Sequence, residues 1–368
     1  MIKNVWTKCL FALLILIAIH GPFSNTVFAE DGDLSDFWEI APDEMEEYLP
    51  DDIKNADASD IPSLLNGEFF TSLLSKLFSR SINDLSSDLG ELIAIIALSS
   101  VAGCLGRSSA HVEWVAALCT SVKVYSLVYG QFKVTVELIN AICAFITSFG
   151  AIMSALYLSG GNSLASAAHI GWISSISLVG GGILSNIIVP TMEISMALLL
   201  VSSACRSVNI QPIASFMQKF TTGLLVFIMT AISIFMSFQT SISAASDSMS
   251  VRTVKFAAAQ AIPVIGGMLG ESIRVLSSSV TLVRSVTGTL AAVIIIVISL
   301  SPLLLLLASR AVLSFSSAIA AMLGSSAVSS VLSNGAKLIG HMMAVLVVFD
   351  IAYIYCLSFF VKSVCAIS

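Results

Sequence analysis

Beyond residue 91 the chain is a succession of long apolar runs with short polar breaks. The runs 134–158, 220–243, 286–308 and 338–361 each reach the ~20 residues that a helix needs to cross a bilayer. Shorter or interrupted runs occupy 92–106, 114–130, 167–188, 190–205 and 311–333. Gly180-Gly181-Gly182 and Pro190 interrupt the stretch 163–205, which leaves two short spans or a broken pair of half-helices as the alternatives. Residues 311–333 are rich in Ser and Ala, which suits close helix packing better than lipid exposure. The expected fold class is all-α: a polytopic transmembrane helical bundle with re-entrant or broken helices, of roughly seven to nine spans or half-spans at ~20 residues per crossing.

The pattern ahead of residue 91 differs. Lys3 and Lys8 precede an apolar run from Cys9 to Ile19, broken by Gly21 and Pro22. That is the layout of a signal peptide, with Val27-Phe28-Ala29 as the cleavage site, so residues 1–29 are expected to be removed; an uncleaved N-terminal anchor is the alternative. Residues 30–62 form an acidic extracytoplasmic segment, expected to be flexible, with Phe37, Trp38 and Tyr48 as candidate docking aromatics. Within 63–91, Leu64, Leu65, Phe69, Leu73, Leu74, Leu77 and Phe78 recur at three- and four-residue spacing, with Lys76, Arg80 and Asp84 on the other side. This predicts an amphipathic pre-membrane helix, lying on the membrane surface or packed against the bundle.

Composition strengthens the membrane reading. Hydrophobic residues make up 57% of the 368 and charged residues 11%, against roughly a quarter charged in soluble domains. The net charge of −6 hides an uneven distribution. Residues 30 to 60 hold thirteen acidic side chains against Lys54, whereas from Leu92 onward twelve Lys or Arg stand against six Asp or Glu. Neither part shows the clustered basic surface that nucleic-acid binding requires. A cleaved signal places Glu30 outside, and Arg107 then lies inside after one crossing. The loop 244–285 carries Arg252, Lys255, Arg274 and Arg284 against Asp247 and Glu271, which argues for the cytoplasm, yet a count of every run as a span puts it outside. Either one segment is re-entrant or the charge rule is overridden there.

No P-loop, Cys-x-x-Cys pair or His-Glu-x-x-His run is present. The seven cysteines are scattered through apolar runs and the four histidines never cluster, so no metal, cofactor or catalytic centre is expected. Ionisable residues inside apolar segments are costly unless paired or hydrated, and Lys123, Glu137, Glu193 and Asp350 qualify. Lys123 and Glu137 either pair across neighbouring spans or each reach outward. Glu193 follows Pro190 and the glycine triplet, where a broken helix would expose backbone groups as in transporters; the alternative is a wet interface. Asp350, in VVFDIAYIYC, is expected to face the bundle interior.

The stretch FQTSISAASDSMSVRTVKFAAAQAIPVIGGMLGESIRVLSSSVTLVR, from Phe238 to Arg284, combines a polar start with an apolar part broken by Pro263 and Gly266-Gly267. It fits a hairpin dipping into the membrane. From Ser272 onward Ile273, Leu276, Val280 and Val283 share one helical face. An interfacial loop-helix and a gate or partner-docking element are the two readings. Residues Phe238 to Ser272 resemble the signature region of the stage III sporulation protein AE family of endospore-forming bacteria, and the layout of the whole chain is similar to that family's. The resemblance marks Asp247, Arg252, Lys255, Pro263, Gly266 and Gly267 as family-like positions, with no catalytic role assigned. It implies a multi-pass protein of the mother-cell-derived outer forespore membrane, a subunit of a secretion-like channel complex. The partners it implies are a separate secretion-ATPase-like protein and ring-forming proteins. An autonomous secondary transporter using Glu193 and Asp350 is the rival expectation; an intramembrane enzyme is a distant third.

Overall fold

The structure, a computed structural model, describes residues 67–105, 109–159, 180–204 and 266–365, with single positions between 171 and 177 and between 212 and 234. Everything described is helical apart from one turn. The helices are α1 (Gly67–Leu105), α2 (Ser109–Ser159), α3 (Val189–Ala204), α4 (Gly266–Met322) and α5 (Ser326–Cys365). Four helices among the described residues are long and apolar enough to cross a membrane: His111–Ala151, Gly180–Leu198, Ala291–Met322 and Ser326–Ile354. The signal peptide (1–29) and the acidic segment (30–62) lie outside the described residues.

Several expected boundaries are displaced. The runs 114–130 and 134–158 are one helix, α2, of 51 residues. The run 92–106 is the end of the 39-residue α1, continuous with the amphipathic stretch before it. Arg310 does not separate two spans, because α4 continues through it to Met322. The guanidinium instead lies across Gly340 of α5, where a Cβ would come within 3.0 Å of Nη1. The long Arg stem therefore finds room beside a glycine, and the helix has no reason to end.

The break falls in the middle of the run 311–333, at Leu323–Ser325. Gly324 has φ +79°, which an L side chain rarely adopts. The Gly324 N–H donates to the Ala321 carbonyl (3.2 Å) and the Ser325 N–H to Ala320 (2.9 Å), the two bonds of a Schellman closure. Glu113 of α2 then caps α5: its carboxylate accepts from the Ala327 N–H (3.1 Å) and the Ser326 hydroxyl (3.2 Å). An orphan donor at a helix N-terminus is thus satisfied from a neighbouring helix.

The cross-contacts set the helix directions. Ser317 meets Ser329, Leu313 meets Gly335, and Ser299 meets Asp350, so α4 and α5 are antiparallel. Glu113 meets Ser326, Val124 meets Gly335, and Cys143 meets Tyr353, so α2 and α5 run parallel. Glu91 and Lys123 lie at matching distances from the α1–α2 connection, which makes that pair antiparallel. Ile173 packs on Gly150 and Ser177 on Thr147, so the chain comes back down α2 into α3. Helices α3 and α4 consequently run the same way, and the chain between them must return the length of the bundle.

Residues 180–204 are neither two short spans nor a broken pair. The helix runs from Gly180 through a π-turn at Leu184–Ile188 into α3. The Val189 N–H bonds back to the Leu184 carbonyl, the wider π pattern. That widening sits just ahead of Pro190, whose ring would otherwise press on the preceding turn. Pro302 likewise lies inside α4 without ending it.

The core sits along α4. From Ala291 to Ile298 almost every side chain is buried, including Ile295, Val297 and Ile298 at 0% exposure. A helix apolar all round is covered by neighbours on every side, and α1, α2 and α5 all pack on it. Lipid is as apolar as these side chains, so close backbone approach rather than water exclusion carries such contacts. At Gly335 a Cβ would overlap the Val124 side chain and meet Leu313 at 3.3 Å. Gly335→Leu should therefore separate α2 from α5 and lower the melting temperature of the detergent-solubilised protein, whereas Gly90→Ala, with open space around it, should raise stability by about 0.5–1 kcal/mol from helix preference alone.

Candidate functional site

Of the four ionisable residues expected inside the membrane portion, one is buried. Asp350 is 8% exposed, between α5 and α4. One carboxylate oxygen accepts a hydrogen bond from the Ser299 hydroxyl at 2.9 Å. Burying a carboxyl among aliphatic side chains is costly without partners, and Ser299 supplies one donor from the facing helix. One helical turn further along α5, the Tyr353 hydroxyl contacts the Cys143 thiol of α2. The space for that hydroxyl comes from Gly180, where a Cβ would lie 3.1 Å from it. The first glycine of the triplet thus serves a close approach between helices. The expectation that Asp350 faces the interior matches its burial.

Lys123 and Glu137 are not a pair across spans; both lie on α2. Lys123 instead reaches α1, with Nζ 2.8 Å from Asp88 and 2.5 Å from Glu91. Glu137 pairs with Lys133 one turn earlier at 3.6 Å, and both are more than half exposed. The first arrangement ties two helices together, while the second decorates a helix surface. Glu193 lies exposed on α3. Its helix is continuous, so it sits at no broken-helix centre.

The gate or docking residues divide. Asp247, Arg252, Lys255 and Pro263 lie outside the described residues. Gly266 and Gly267 open α4. The stretch 266–285, expected as part of a Pro/Gly-broken loop, is helical and continuous with the span that follows. Its apolar periodicity is that of the early turns of a 57-residue helix, not of a separate interfacial one.

Sequence reasoning passed over three residues that the structure employs. Ser299 and Glu113 act through partners 51 and more than 200 positions away, so no local pattern marks them. Arg310 resembles a span boundary until Gly340 is seen beneath it. Among the described residues no group of three His, Cys, Asp or Glu side chains is placed to hold a metal ion.

The family model for stage III sporulation protein AE matches residues 57–364. The chain belongs to the stage III sporulation protein AE family. It is also similar to the stage III sporulation protein AE of Bacillus subtilis (strain 168), 24% identical over 337 residues, which is 88% of this chain and 83% of that one. No solved structure shows a significant match. The family match spans every described helix, so the α2–α4–α5 core and the Asp350–Ser299 contact both fall inside it. The family membership connects the protein to sporulation, and the four apolar helices are those of a multi-pass membrane protein.

The Lys123 clamp offers a test within this family framework. Removing the cation leaves Asp88 and Glu91 close together without a counter-charge. Lys123→Met should loosen α1 from α2 by about 1 kcal/mol, as for a partly exposed pair, and speed proteolysis within α1. Lys133→Met, which touches only its own helix neighbour, should leave that cleavage rate unchanged.

Proposed function

We propose that the chain is a non-enzymatic membrane subunit of a sporulation-specific, secretion-like channel that links mother cell and forespore and supports forespore development during stage III. The observation that carries this reading is the family match across residues 57–364. In this reading the protein sits in the mother-cell-derived outer forespore membrane. A separate secretion-ATPase-like protein supplies the energy, and ring-forming proteins complete the conduit. The bundle suits a scaffold or export-gate role. Its helices are tied by caps and close glycine approaches, and α2 at ~1.5 Å per residue runs about 76 Å, well beyond a ~30 Å hydrocarbon core. That excess length offers protein surface outside the bilayer to partners.

The directions of the helices also suggest an orientation. The α1–α2 connection, the chain just after α3 and the Gly324 turn share one end of the bundle, and the start of α1 lies at the other. If the signal places the chain ahead of α1 outside, the end with Arg107 and Arg206 is cytoplasmic, as the charge rule prefers. The chain just before Gly266 then lies outside, facing the space where ring-forming partners would assemble.

The second reading, an autonomous secondary transporter, draws support from the buried Asp350 and loses it at the exposed Glu193. One comparison separates them. In sporulating cells Arg252→Ala with Lys255→Ala should abolish co-purification of the channel partners and halt forespore development, and the protein alone in proteoliposomes should carry out no coupled uptake. Coupled uptake by the lone protein, abolished by Glu193→Gln, would establish the transporter instead.

A further inference from the structure

Asp350 is the one Asp, Glu, Lys, Arg or His among the described residues that is buried. The groups around it form a line. On α4, Ser299 donates to its carboxylate. On α5 itself, Tyr353 follows one turn on, where side chains at this spacing are neighbours. On α2, the Cys143 thiol contacts the Tyr353 hydroxyl. The Cys143 carbonyl accepts from the Thr147 hydroxyl at 2.8 Å and from the Ser177 hydroxyl at 3.2 Å. Thr147 and Ser177 bond each other at 2.8 Å, and Thr147 is exposed. Hydrogen-bonding side chains thus mark a seam from the surface of the bundle to a carboxyl in its core.

The titratable groups facing this seam are Cys143 from α2, and Tyr353 and Cys356 from α5. From α4 comes the neutral Ser299, and from the 171–180 stretch the neutral Ser177 and the backbone of Gly180. Neither Lys, Arg nor His from the described residues approaches Asp350. A lone carboxylate in that setting has one hydroxyl donor and no counter-charge, whereas a carboxylic acid needs no counter-charge. Sidedness matters too, because intramembrane carboxyls of this kind mark proton relays when a polar route reaches them.

We propose that Asp350 is a proton-binding site, exchanging its proton with water through the Tyr353–Cys143 contact and the Thr147–Ser177 pair. The step is a simple transfer: the carboxyl O–H bond breaks, the carboxylate remains on Asp350, and the proton leaves along the seam to solvent. Ser299 keeps its donation to the carboxylate and so holds α4 against α5 in both states. The inference is separate from the channel reading. A subunit that carries no substrate can still hold such a site, and a failed complementation would not bear on it.

The test is infrared difference spectroscopy on the full-length protein in nanodiscs, stepped from acid to alkaline pH. A carboxylic C=O band should be present at low pH, vanish at high pH and be missing in Asp350→Asn, a near-isosteric variant whose folding is checked by gel filtration. After a pH jump, Tyr353→Phe should slow the loss of that band about tenfold, equivalent to ~1.36 kcal/mol of barrier. A band that persists at every pH, or that survives in Asp350→Asn, overturns the proton site. Absence of the band in the unsubstituted protein overturns it as well. An unchanged rate in Tyr353→Phe overturns the route.

Discussion

The antiparallel packing of α4 against α5 is the contact on which the remaining helices depend. It begins at the glycine turn, where a left-handed residue and two backbone bonds reverse the chain. It continues through Ser317 with Ser329 and Arg310 with Gly340 to Ser299 with Asp350. Two apolar helices in lipid gain little from one another by water exclusion, so such pairs are held by fit and by interhelical hydrogen bonds. Every contact in this series is one or the other. Helix α2 then joins by lying against Gly335 and capping α5 through Glu113. Helix α1 is fastened to α2 by Lys123.

This arrangement explains why charge is tolerated in so apolar a bundle. Each ionisable side chain near the core has a local solution. Lys123 bridges two carboxylates, Arg310 extends over a glycine, Glu113 meets a helix N-terminus, and Asp350 accepts from a serine. The first three also join one helix to another, so the charges add geometry to an otherwise uniform apolar surface. Asp350 differs because its partner is neutral and its neighbours lead outward.

The helical class and the membrane habit were legible from the apolar runs, since run length maps directly onto bilayer thickness. So was the family, from the stretch Phe238 to Ser272. Helix boundaries were not. A charge such as Lys133 or Arg310 resembles a span end because a one-dimensional pattern does not show what lies beside it, and both are mid-helix. Pro190 resembles a break because the accommodating π-turn carries no residue signature. The true turn was masked by its setting, as Gly324 is one small residue among many between Ser314 and Ser333. The pairing of Asp350 with Ser299 depends on the hairpin register, which follows only once that turn is located.

The hairpin itself is open to a direct measurement. Ser317→Cys with Ser329→Cys, in a chain otherwise free of cysteine, places two thiols where hydroxyl oxygens now lie 3.1 Å apart. If α4 turns back at Gly324, mild oxidation of native membranes should form that disulfide rapidly and within one chain. If residues 311–333 were instead one continuous span, the two positions would stand ~18 Å apart along a single helix at ~1.5 Å per residue. No intramolecular disulfide would then form, and the central packing described here would be contradicted.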